Sequence, residues 1–159
     1  MNNLKHHSVL ICFLTILFAC SNNNSEIHKK ISTKNFDDII QDVEFAITEN
    51  NFRVVNRLNI GESIQERKEK KFPKNEIILF CNLSLAEEML ILEPDYINFC
   101  PYKITINQQN NETFIATRLM PINTGSEKLN NFALKMNNIL VKMVEYAASE
   151  DPFILDLDK

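Results

Sequence analysis

Between Ser126 and Ala148 the apolar residues Leu129, Phe132, Met136, Ile139, Leu140 and Met143 recur at helical spacing. They draw one continuous stripe on a helix of roughly 34 Å at 1.5 Å per residue. Helix propensity alone does not hold such a segment in place, so the stripe must lie on an apolar surface of comparable length. Its methionines are expected to be adaptable core filler rather than a cofactor box.

The rest of the chain supplies that surface. Phe36, Ile39, Ile40, Val43 and Ile47 make a second helical stripe, with Asn35 as candidate N-cap and Asp37 and Asp38 where the helix dipole favours acids. Asn50-Asn51 ends it, and residues 52–60 then read as a strand bounded by Gly61. Ile27 and Ile31 flank Lys29 and Lys30 and are expected to enter a first strand near 26–31. Residues 62–71 are almost wholly polar, a solvated helix or a loop that Pro73 stops. The near-continuous apolar run 77–81 predicts a central strand covered on both faces or at least deeply buried. Ser84 is a candidate cap for a short helix carrying Leu85, Ala86, Met89 and Leu90 and stopping before Pro94. Residues 102–106 and 113–119 form a hairpin; alternation sets Ile104 and Ile106 apart from Lys103 and Thr105, and Phe114 and Ala116 apart from Ile115 and Thr117. The order β-α-β-(α)-β-α-β-β-α predicts an α+β domain, helices on one face of a mainly antiparallel sheet.

The N-terminus reads as targeting. Lys5 gives a positive start, and the apolar run from Val9 to Ala19 spans roughly 16 Å as helix, too short for a ~30 Å hydrocarbon core. Leu17-Phe18-Ala19-Cys20 resembles the bacterial lipobox, which implies a signal peptide over 1–19, cleavage before Cys20, and acylation of that cysteine. Two or more acyl chains give stable anchoring where one is marginal. Ser21 in place of Asp implies, by the common sorting rule, an outer-membrane lipoprotein facing the periplasm. Residues 20–31 then hold the lipidated Cys20, an asparagine-rich tether and the expected first strand; extended from Cys20 to Lys30, this stretch lets the domain stand up to roughly 35 Å from the lipid. Residues 32–150 form the domain, and 151–159 a C-terminal tail.

Composition excludes several chemistries. The formal charge of −4, with no basic block, argues against nucleic acid. Gly61 and Gly125 are the only glycines, too few and too far apart for a phosphate-cradling loop. Beyond Cys20 the sole histidine is His28, in the polar stretch near the anchor, so histidine-based hydrolytic or metal sites are not expected. No cofactor is implied.

Cys81 and Cys100 remain as candidate thiols, either a disulfide or two buried free cysteines. Cys81 precedes a helix start, a placement that can lower a thiol pKa for a redox role, although no CxxC motif is present. Asn82, Tyr102 and Arg118 are candidate polar contacts for a small apolar ligand; alternatively Asn82 caps a helix and Arg118 pairs with a carboxylate. Glu87, Glu88, Glu93 and Asp95 are candidates for acid–base chemistry, or simply solvated charges.

The stretch from Ile77 to Ile106, through Cys81-Asn82, Ala86, Leu90, Pro94 and Pro101, resembles the core signature of the domain-of-unknown-function 302 family. Leu83 replaces the family's usual proline after Asn. Tyr102 stands where the cysteine-bearing branch has cysteine after proline, the thiol here being Cys100. The resemblance implies a TATA-binding-protein-like fold, a curved antiparallel sheet with helices on one side, and the capacity to form a homodimer. It implies no established activity. The expected function is a lipid-anchored periplasmic binding or structural domain, more readily non-enzymatic than catalytic; the alternative is a thiol-linked role.

Overall fold

A computed structural model of the chain describes residues 26–150; the expected signal segment 1–19, the lipidation position Cys20, most of the tether and the tail 151–159 lie outside them. Five strands, β1 (Ile27–Ser32), β2 (Arg53–Asn59), β3 (Asn75–Cys81), β4 (Tyr102–Gln109) and β5 (Glu112–Arg118), make one sheet ordered β1-β5-β4-β3-β2. Every neighbouring pair is antiparallel. Four helices complete the domain: α1 (Phe36–Glu49), α2 (Ile60–Lys68), α3 (Leu83–Leu92) and α4 (Glu127–Ala148), with a 3-10 turn over Pro94–Phe99.

The two apolar stripes pack as the sequence requires. Phe36, Ile39, Ile40, Val43 and Ile47 of α1 are buried with Leu129, Phe132, Met136, Leu140 and Met143 of α4, while Ile139 is half-buried. The sheet meets them with Ile78, Phe80, Tyr102, Ile104, Ile106 and Ile115. Burying each such side chain stabilises by about 1.5–3 kcal/mol. Phe80 and Tyr102 meet Phe52 edge-on, at centroid distances of 5.6 and 6.0 Å. Polar links then fix the register of the layers. Lys34 Nζ pairs with Asp42 of α1 and donates to the carbonyls of Ala147 and Ser149, at 3.1 and 2.9 Å, closing the C-terminus of α4. Asn137 Nδ2 donates to the Met120 carbonyl at 2.9 Å, and its Oδ1 accepts the Met120 N–H at 2.8 Å. Glu76, buried on the helix side of β3, accepts from Arg57 Nε at 2.5 Å, and the same guanidinium reaches Glu44 of α1 at 3.1 Å. These charge-assisted bonds hold the Arg57 pKa up.

Several sequence expectations change. The 77–81 run is not covered on both faces: Ile78 and Phe80 are fully buried, but Ile77, Leu79 and Cys81 are half-exposed. In β5 it is Thr113, Ile115 and Thr117 that face the helices, and Phe114 and Ala116 take the other side. The threonines can face inward because their hydroxyls find backbone partners; Thr117 Oγ1 donates to the Lys103 carbonyl at 2.9 Å. Asn35 makes no side-chain cap bond, and α3 is capped by Asn82, not Ser84. The hairpin is longer than expected. Its strands run to Gln109 and from Glu112, leaving only Asn110 and Asn111, both at positive φ (49° and 68°). Two residues in that conformation form the turn whose twist suits a hairpin, and asparagine tolerates it.

The polar 62–71 region is largely helix. Asn59 caps α2 by accepting the Glu62 N–H at 3.0 Å, so Ile60 and Gly61 belong to the helix rather than to the strand end. Gly61 is required there by close approach: a Cβ would lie 2.6 Å from the Pro73 carbonyl oxygen and 2.8 Å from the Asn75 nitrogen. Backbone cannot yield as a side chain would. Gly61→Ala is therefore expected to destabilise the domain by about 1–3 kcal/mol despite alanine's better helix propensity, measurable as a lower urea midpoint.

Candidate functional site

The sheet carries β3 and β4 so that Cys81, the last residue of β3, meets Cys100, which closes the 3-10 turn just before β4. Their sulfurs are 3.3 Å apart, and both residues are half-buried free thiols. Burial, reinforced by the hydrogen bond with Cys100, pushes the Cys81 thiol up to about 11. Adjacency to the start of α3 does not produce the lowered pKa that a reactive nucleophile needs, because desolvation disfavours the charged thiolate more strongly.

The three candidate ligand contacts occupy different places. Asn82 Oδ1 accepts the Leu85 N–H at 3.1 Å while its Nδ2 donates to the Asn51 carbonyl at 2.9 Å, so it caps α3 and ties it to the end of α1. Tyr102 is a core residue, 4% exposed, with its hydroxyl donating to Met89 Sδ at 3.5 Å; burial raises its pKa. Arg118 is exposed, its guanidinium 5.1 Å from the centre of the Phe99 ring. Alternation puts Tyr102 on the helix side of the sheet and Arg118, in phase with Phe114 and Ala116, on the other. They do not line a common pocket. An open depression lined by Gln65, Glu66, Glu69, Lys70 and Lys71 includes none of them.

The carboxylates behave as surface groups. Glu87, Glu88 and Asp95 are exposed; Glu88 lies 3.8 Å from Lys135 Nζ, and Glu93 caps the 3-10 turn through the Asp95 N–H. His28 sits within β1, half-buried, with Nε2 3.1 Å from Glu145 Oε1 of α4, and Lys30 Nζ reaches the same oxygen at 3.0 Å. It ties the first strand to α4.

What sequence reasoning missed is the helix-free face of the sheet. The registers place Leu58, Ile77, Thr105, Ala116 and Lys29 in one row across all five strands, and Asn75, Asn107, Phe114 and Ile31 in another. Ile27, Ile31 and Leu58 are 58%, 52% and 37% exposed, and Ile77, Leu79 and Phe114 half-exposed. Basic side chains are interspersed on this surface: Lys29 between Ile27 and Ile31, Lys103 on the central strand, Arg118 and, across from Cys81, Arg53. Lys29 Nζ lies 4.4 Å from the Phe114 ring centre. Among the described strand residues only Glu112, at the hairpin tip, brings a carboxylate to this face. Among the described residues of this chain of net charge −4, the acids thus lie mostly on the helices and the sheet face is basic. The period-two spacing Ile27, Lys29, Ile31 was the available signal; it names a face only once the side of the helices is known.

Comparison with known proteins agrees with this architecture. The family described as "Domain of unknown function DUF302" matches residues 27–146, so the chain belongs to that family. Among solved structures, an uncharacterized conserved DUF302 protein from Bacillus stearothermophilus superposes with a TM-score of 0.67 at 19% identity, covering 77% of this chain and 98% of that one. At that identity the likeness shows the shared α+β fold. Among curated proteins none matches.

Two measurements check the site. Tyr102→Phe, which removes only the contact with Met89, is expected to change stability by less than about 1 kcal/mol, whereas Tyr102→Ala costs about 3–5 kcal/mol in urea melts. For Cys81, a pKa near 11 instead of 9.0 makes the thiolate about a hundredfold scarcer at neutral pH, partly offset by its greater nucleophilicity. Alkylation of Cys81 at pH 7.5 should be about tenfold slower than that of a small free thiol, and its rate should climb until pH approaches 11.

Proposed function

We propose that this DUF302 chain is a lipid-anchored envelope protein, non-catalytic, whose domain binds an anionic amphiphile through the helix-free face of its sheet. The observation that carries the reading is the composition of that face, where exposed Ile27, Ile31 and Leu58 stand among Lys29, Lys103 and Arg118. An apolar body with an acidic head satisfies both elements. Exposed apolar area gains by leaving water, and the cations interspersed with it gain from an anionic headgroup.

Acylation at Cys20 is part of the proposal. The headgroup layer of the anchoring membrane is then the nearest surface of the required chemistry, because β1 begins at Ile27 and seven residues reach at most roughly 25 Å. A homodimer through the same face is less favourable. It would set two faces carrying Lys29, Arg53, Lys103 and Arg118 against each other, and like charge in apposition is costly. An enzymatic reading has less support, since the thiol is held protonated and the carboxylates of α3 are solvated.

Sedimentation with vesicles tests the proposal. The acyl-free domain, residues 26–150, should pellet with phosphatidylglycerol vesicles and stay in solution with phosphatidylcholine vesicles. At about 1 kcal/mol per cation near an anionic surface, replacing Lys103 and Arg118 by Gln should weaken binding by roughly thirtyfold. Equal behaviour of both vesicle types, or of the double variant and the parent, would count against it.

A further inference from the structure

We propose that Cys81 and Cys100 are a disulfide-forming pair whose oxidation by a low-molecular-weight or protein disulfide staples α3 and the 3-10 turn to the sheet. Their sulfurs already touch at 3.3 Å, so a bond of about 2.05 Å requires them to close by little more than 1 Å. No rearrangement of strands is needed.

The segment between the two thiols lies at the margin of the core, where Leu85, Leu90, Leu92, Tyr96 and Phe99 pack only partly buried. Among residues 82–99 only Ala86 and Met89 are buried, while Leu83, Ile91 and Ile97 are 82%, 77% and 53% exposed. Asn82 anchors one end through its two side-chain bonds, and the Cys100 N–H donates to the Ile97 carbonyl at the other. A covalent link between Cys81 and Cys100 ties both ends of this excursion to the same point, the junction of β3 and β4. It also removes the loop entropy the segment would gain on unfolding.

The chemistry balances by exchange. One thiolate attacks the oxidant's disulfide and expels one oxidant sulfur as thiol, leaving a mixed disulfide. The second cysteine, as thiolate, attacks the protein sulfur of that mixed bond and expels the other oxidant half. Two S–H bonds are lost, one Sγ–Sγ bond forms, and the oxidant disulfide is reduced to two thiols. With Cys81 mostly protonated at neutral pH the exchange is slow, which suits a bond made once in an oxidising compartment rather than a dithiol that turns over.

The test equilibrates the full chain across a glutathione series from fully reduced to fully oxidised, quenches by alkylation and digests without reduction using Glu-C. That protease cuts after Glu87, Glu88 and Glu93, between the two cysteines, so their link is read separately from Cys12 and Cys20. The expected result is a Cys81–Cys100 linked peptide that replaces both alkylated peptides, with a Tm about 10 °C above that of the reduced chain. C81S and C100S should each fold, melt near the reduced parent and show neither the linked peptide nor the rise in Tm across the series. Two cysteines alkylated at every ratio in a protein folded by circular dichroism would overturn the proposal. So would glutathione caps on each, or a linked peptide with unchanged Tm.

Discussion

The packing of two one-sided helices against a single face of an antiparallel sheet is the constraint on which the other features depend. α1 and α4 each carry one apolar stripe, and both stripes end on Ile78, Ile104, Ile106 and Ile115. Once that face is filled, the polar ties acquire their geometry: Lys34 closing α4, Asn137 holding Met120, and Arg57 neutralising buried Glu76. Each is a buried or half-buried polar group that would be costly alone and is satisfied by a partner on another layer.

One-sided packing also determines what stays outside. Because side chains alternate along every strand, filling one face leaves the other as a single surface, here with Lys103, Thr105 and Asn107 on its central strand and apolar residues toward both edges, Ile27, Ile31 and Phe114 on one side and Leu58, Ile77 and Leu79 on the other. The same alternation sends Tyr102 into the core and Arg118 out of it, which separates two residues that a linear reading groups together. The thiol pair has a related origin. β3 and β4 pair through Phe80 and Tyr102, so the residues flanking that pair, Cys81 and Cys100, come together where the excursion through α3 leaves and re-enters the sheet.

Most of the fold was legible in the sequence, because long periodic segments report burial directly. The α1 and α4 stripes, the antiparallel hairpin and the DUF302 resemblance through Cys81-Asn82, Ala86, Leu90 and Pro101 all reappear in the structure. What was not legible depends on contacts distant in sequence. Gly61 reads as a strand boundary until the approach of residues 73–75 is seen. β5 has apolar or threonine residues on both sides, so pattern alone does not choose which face the helices cover. For the site, Cys81 and Cys100 were visible as candidates, but their contact and the raised thiol pKa required the register of β3 with β4. The basic sheet face went unread because its residues come from five separate strands.

The central claim, that the open sheet face is the binding surface, is tested most directly by methyl NMR of the chain on phosphatidylglycerol nanodiscs carrying a spin-labelled lipid. The account predicts that the methyl signals of Ile27, Ile31, Leu58, Ile77 and Leu79 lose intensity, while those of core Ile39 and Ile47 and of exposed Leu83 and Ile91 on α3 are retained. Loss at Leu83, Ile91 and Ile97 with the sheet-face methyls intact would contradict it and move the binding surface to α3 and the 3-10 turn.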